Sequence, residues 1–127
     1  MARADAAARR PFVSRWRITA MELWTAEDLD LLGPAGLTLN RGGSGEMSFI
    51  AVEAGLDYRV GQRDGQPAIE FSFDGSDEGD RISGRGWAVL EDDALRGRVL
   101  IHHGDESSFV ARRAANVGAA RPASSQR

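Results

Sequence analysis

Between Phe12 and Arg113, apolar and polar residues alternate with a period of two and are interrupted at short intervals by Gly, Asn and Asp, as in a small all-β barrel or sandwich. Eight strands can be drawn. The first runs from Arg15 to Trp24, with Trp16, Ile18 and Ala20 on one face. The second, Gly36 to Arg41, carries Leu37 and Leu39. Then Arg41-Gly42-Gly43-Ser44-Gly45 supplies the left-handed backbone positions of a tight connection. Glu46 to Ala54 places Met47, Phe49 and Ala51 together, and Gly55 marks a turn or sharp bend before Leu56, Tyr58 and Val60. Asp64-Gly65 is a hairpin signal, and Ile69, Phe71 and Phe73 beyond it alternate cleanly with Glu70, Ser72 and Asp74. The last three strands carry Trp87 and Val89, then Leu95 to His103, then Phe109 and Ala111.

One segment breaks this period. Thr25 offers a capping hydroxyl, Glu27 and Asp28 are acids in a first turn, and Gly33-Pro34 stops the run, so a short helix is expected between strands one and two. Its Leu29 and Leu32 either roof one barrel mouth as a lid or complete the core from a connector. Short sequential turns favour neighbours in sequence becoming neighbours in space. The expected fold is therefore all-β: an eight-stranded antiparallel meander barrel with one short helix between strands 1 and 2. Residues 12–113 form the barrel, residues 1–11 a flexible N-terminal segment, and residues 114–127 a small, polar tail of the composition of disordered chain.

Composition narrows the chemistry. At 127 residues the chain is one domain, and 42% hydrophobic content is enough for a core. Cysteine is absent, which removes disulfides, thiolate metal sites and thiol nucleophiles. Every basic side chain is arginine, so no lysine Schiff base or lysine general base exists. The net charge of -3, with acids and bases interspersed, argues against a nucleic-acid partner. No apolar run reaches the roughly 18 residues of a membrane span, and Met1 to Arg10 lacks the apolar stretch of a secretory signal, so a soluble cytoplasmic protein without a membrane partner is expected.

A tryptophan near the start (Trp16), a lid-like segment after the first strand, eight meandering strands and an arginine at the end (Arg112 or Arg113) together resemble the calycin pattern of lipocalins and their relatives. That resemblance implies that Trp16 sits at the closed end of the barrel with one of the two arginines laid across it. Ser14 stands where the family's Gly-x-Trp has glycine. The segments Trp16 to Trp24, Gly84 to Leu90 and Gly97 to Asp105 also resemble a group of small bacterial proteins, a likeness that carries no chemistry with it. Independently of family, a guanidinium on an indole is worth about 0.5 to 2 kcal/mol and ties the first strand to the last.

Sites of catalysis are weakly marked. His102 and His103 point to opposite faces of a regular strand, so no metal site is expected. Ser107, His103 and Asp105 lie within one hairpin and cannot readily adopt nucleophile, base and orienter geometry. The acids from Glu70 to Asp80 lack the register of a calcium loop, and Gly84-Arg85-Gly86 lacks the strand-to-helix turn of a nucleotide fingerprint. No cofactor is implied.

The reading reached from sequence is a non-enzymatic binding protein holding a small apolar ligand in the lumen. Trp16, Leu29, Leu32, Phe49, Tyr58, Phe71, Arg85, Trp87 and His103 are the candidate contacts. One alternative is a filled barrel serving as a protein-interaction or homodimerisation module, through an apolar exterior of Met21, Leu23, Ile50, Val52, Leu90, Leu100 and Val110. The other is an enzyme with a small site at the barrel mouth, built from Tyr58, Arg85, His103 and Glu91.

Overall fold

Eight strands close into one antiparallel ring, each pairing with its neighbours in sequence and the last pairing with the first. The structure is a computed structural model and describes residues 2–114, with side chains from Ala6 onward. The strands are β1 (Ser14–Met21), β2 (Gly36–Leu39), β3 (Ser44–Phe49), β4 (Val52–Arg63), β5 (Gln66–Asp77), β6 (Asp80–Glu91), β7 (Ala94–Ile101) and β8 (Glu106–Arg113). Helix α1 (Ala2–Arg9) precedes them, where the sequence suggested a flexible segment, and α2 (Ala26–Leu29) lies in the β1–β2 connection. Of the expected C-terminal tail, residues 115–127 lie outside the described residues, while the Ala114 N–H donates to the Arg15 carbonyl at 2.8 Å. Among the described residues no helix is long and apolar enough to cross a membrane.

Turn chemistry explains the meander. The β4–β5, β5–β6 and β6–β7 links are the pairs Asp64-Gly65, Glu78-Gly79 and Asp92-Asp93, and both residues of each pair have positive φ. That is the two-residue turn whose twist matches that of the flanking strands. Helix α2 is set by its cap: the Thr25 Oγ1 accepts the Asp28 N–H at 3.2 Å. Its end is set by Asp30, which accepts the Ala35 N–H at 2.9 Å and pairs with Arg17. The Ala35 N–H bond, helped by Arg17, holds the Asp30 carboxyl below the ordinary carboxylate value against a smaller opposing effect of desolvation.

The facing of three strands differs from the alternation expected. In β1 the register slips between Ile18 and Ala20, a bulge that turns Ala20 outward and sends Met21 into the core opposite Phe109. β3 stops at Phe49: the turn is Ile50-Ala51, Val52 points inward, and Gly55 lies within β4. Ile50 holds φ at 55°, rare for a β-branched residue, with its N–H donating to the Leu29 carbonyl at 2.8 Å. In β6 the inward residues are Gly84, Gly86 and Ala88, so Trp87 and Val89 face outward.

The interior is full. Phe12, Trp16, Ile18, Leu37, Leu39, Met47, Phe49, Tyr58, Ile69, Leu95 and Phe109 are each no more than 2% exposed. Phe71 lies 6.4 Å from Phe73 and 6.5 Å, edge-on, from Phe109. A Cβ added at Gly86 would fall 2.4 Å from the Phe71 ring, and one at Gly84 2.5 Å from Phe73. The two glycines are thus the space that the β5 rings occupy.

Candidate functional site

Strand geometry sorts the expected site residues into interior, ends and outer wall. Trp16 and Arg113 are cross-strand partners at one end of the ring, with the guanidinium carbon 4.4 Å from the ring centroid. The Trp16 Nε1–H donates to the Phe12 carbonyl at 2.8 Å. Arg113 is fixed in turn by Asp93 at 2.7 Å and by the Pro11 carbonyl at 2.6 Å. Arg112 points outward opposite Arg17 and takes no part, so the closing cation is Arg113. A guanidinium stacked on a buried indole here joins the first strand, the last strand and the N-terminal segment in one contact.

Phe49, Tyr58 and Phe71 point into the barrel. Phe49 packs on Trp24 at 5.7 Å. The Tyr58 hydroxyl donates to the Asn40 carbonyl at 2.5 Å, and burial raises its pKa while the charge of Arg9 acts the other way. Leu29 is 1% exposed and completes the core at the opposite end of the ring from Trp16. Leu32 does not join it: α2 ends at Leu29, the helical spacing lapses, and Leu32 is 65% exposed. The connector therefore serves as a core-completing plug through one leucine.

Arg85 and Trp87 stand outside the barrel, a correction that follows from the inward glycines of β6. Arg63 lies over the Trp87 ring at 3.8 Å. With Arg59, Glu70 and Ser72 they line an open groove of about 440 Å³ across β4, β5 and β6. Arg59, Arg63 and Arg85 belong to none of the ion pairs among the described residues, unlike Arg98, which holds Glu22 and Glu106 at 3.1 and 3.0 Å. Sequence reading overlooked Arg59 and Arg63. Their signal was their place on the polar phase of β4, Arg63 directly before and Arg59 five residues before Asp64 of the Asp64-Gly65 turn.

The remaining candidates are dispersed. His103 sits exposed in the β7–β8 turn with φ at 60°, at the far end of the ring from Glu91 and Tyr58, so the mouth grouping of Tyr58, Arg85, His103 and Glu91 is not assembled. Ser107 is 1% exposed, and its hydroxyl is engaged with the Ser108 carbonyl at 2.9 Å and the Leu23 N–H at 3.3 Å. It has no access to a substrate. No group of three His, Cys, Asp or Glu side chains is placed to hold a metal among the described residues. The apolar exterior also contracts, since Met21 and Val52 are buried inward and Ile50 and Leu90 pack against the core. Leu100 and Val110 stay on the outer wall, and the largest apolar exposure moves to Leu23, Leu31 and Leu32 of the connector. In comparison with known proteins, no family model, no curated protein and no solved structure matches the chain.

Proposed function

We propose that the chain is a non-enzymatic protein-interaction module: a calycin-like barrel whose lumen is filled by its own side chains and whose recognition surface is its outside. One observation carries this reading: the Phe71 and Phe73 rings occupy the volume vacated by Gly86 and Gly84 on the neighbouring strand. A carrier barrel needs side chains short enough to leave a cavity, whereas here the Phe71 ring lies over Gly86 of the neighbouring strand and meets Phe109 of β8 edge-on across the interior. What the interior gives up in binding capacity it gains in rigidity, and rigid walls are good platforms for partners.

The wall also has chemistry to offer. Trp87 with Arg59, Arg63 and Arg85 presents an aromatic flanked by cations that have no carboxylate partner among the described residues. Tryptophan and arginine are the residue types that dominate the energetics of protein interfaces. The partner is another protein, because the expected self-association wall is broken up: Met21 and Val52 are buried and Ile50 and Leu90 pack against the core.

Titration of the folded chain with the fluorophore 1-anilinonaphthalene-8-sulfonate tests the filled lumen. The expected result is no saturable site. Stoichiometric binding, displaced by a long-chain fatty acid, would return the function to the lumen. Light scattering at high micromolar concentration is expected to give a monomer.

A further inference from the structure

Ring closure does not remove every strand edge. β4 and β5 are twelve residues each, while β3 is six, and β3 pairs with β4 only from Val52 to Asp57. One more backbone bond, from the Tyr58 N–H to the Gly43 carbonyl at 2.8 Å, ends the contact. Beyond it the β4–β5 hairpin overhangs the barrel to Arg63.

The direction of the free backbone groups follows from strand geometry. The N–H and C=O of one residue point to the same side of a strand and alternate along it. Arg63 faces Gln66 across a two-residue turn, so Arg59, Gly61 and Arg63 turn their backbone groups to β5. Tyr58 turns its own to the other side, and Val60 and Gln62 share its phase. No backbone partner takes the groups of Val60 and Gln62 on that side among the described residues. The register through this stretch is continuous, without bulge or proline on β4, and a Cβ built on Gly61 meets nothing within 4 Å. Proteins ordinarily blunt such an edge.

Charge decides what fits there. Arg59 and Arg63 project from the outer face of the same strand, and Arg9, whose guanidinium donates to the Arg41 carbonyl at 3.1 Å, lies beside Gly43 where the free edge begins. Arg9, Gly43, Tyr58, Arg59 and Val60 line a hollow of about 480 Å³ along the edge, in which Asp57 is the acidic side chain. A second copy is a poor occupant. Antiparallel pairing of two β4 edges about Gly61 would set Arg59 of each opposite Arg63 of the other, and like charges directly opposite are destabilising.

We propose that the exposed edge of β4 at Val60 and Gln62 accepts an extended acidic segment of a partner protein as an added strand, with carboxylates opposite Arg59 and Arg63. The added strand would form a main-chain ladder with Val60 and Gln62, and its alternate side chains would read the two guanidiniums. This inference rests on the reading of the chain as an interaction module.

The test is fluorescence anisotropy with a labelled peptide of alternating Glu and Val, about eight residues long, an ordinary strand length. The unaltered protein should bind it and should reject both the Lys-Val counterpart and the Glu-Val peptide N-methylated at alternate residues. Double substitution R59E and R63E should weaken binding about tenfold, as two opposite-charge pairs become like-charge pairs. Slowed amide exchange at Val60 and Gln62 on addition of the peptide should accompany binding. Equal affinity for the N-methylated peptide would overturn strand addition, equal affinity for the Lys-Val peptide would overturn the charge argument, and failure of the Glu-Val peptide to bind would overturn the proposal. Any of these leaves the filled lumen standing, whereas a saturable fluorophore site would undermine the interaction reading itself.

Discussion

β5 and β6 are hydrogen-bonded neighbours of equal length, yet they meet the barrel interior in opposite ways. β5 turns Ile69, Phe71 and Phe73 inward and leaves Glu70 and Ser72 in water. β6 turns Gly84, Gly86 and Ala88 inward and puts Arg85 and Trp87 on the wall. The pairs Phe71 with Gly86 and Phe73 with Gly84 are cross-strand partners, so each ring lies over a residue with no side chain. Close packing across a narrow ring requires large and small side chains to alternate around it. The small strand then has its large residues free for the outside, and the packed interior and the exposed wall around Trp87 have one origin.

This contrast is sharpest under substitution. Phe71→Ala removes a core ring and should cost about 3 to 5 kcal/mol in denaturant unfolding. An outcome below about 1 kcal/mol would mean the lumen is loosely filled. At the connector end, Leu29→Ala should cost about 2 to 5 kcal/mol while Leu32→Ala stays within about 0.5 kcal/mol. Equal losses at both positions would show that Leu32 also packs inward. Gly86→Val should destabilise by about 1 to 3 kcal/mol through overpacking, whereas Trp87→Ala, one residue along the same strand, should cost less. The reverse order would place Trp87 in the core.

The smallest effect concerns pH. Asp30 has a lowered pKa in the folded chain, so its contribution is fully present above the unfolded value of about 3.9 and is lost as pH falls through the folded value. The difference in unfolding midpoint between the protein and Asp30→Asn should therefore be constant near neutrality and shrink in acid below about pH 4. A difference that grows in acid would contradict the role of the Ala35 N–H.

The order of elements was legible because the chain's turns are chemically explicit. Asp64-Gly65 and Asp92-Asp93 mark their hairpins, Thr25 marks its helix, and β5 shows its two faces without ambiguity. The closing pair was legible as residue types, but choosing Arg113 over Arg112 needed the register with Trp16. Three features were hidden for physical reasons. The Ile50-Ala51 turn uses residues that ordinarily belong in strands, so the β3–β4 boundary was drawn too late. The β1 bulge leaves no compositional mark, and it reversed Ala20 and Met21. In β6 the rule that large residues face inward failed, because the volume opposite was already taken by Phe71 and Phe73. The wall around Trp87 was missed by the same error, and the free edge of β4 depends on the unequal lengths of β3 and β4, which the period of two does not encode.

A double-mutant cycle on Phe71 and Gly86 tests the interlock most directly. Phe71→Ala opens the space into which a Gly86→Val side chain would otherwise collide, while the Arg98 carbonyl, 2.5 Å from the same Cβ position, keeps the relief partial. The double variant is expected to be more stable than the sum of the two losses, by a coupling within the range of about 0.5 to 3 kcal/mol found for residues in contact. Losses that simply add within about 0.5 kcal/mol would show that ring and glycine do not share one volume, and the lumen would again be open to a ligand.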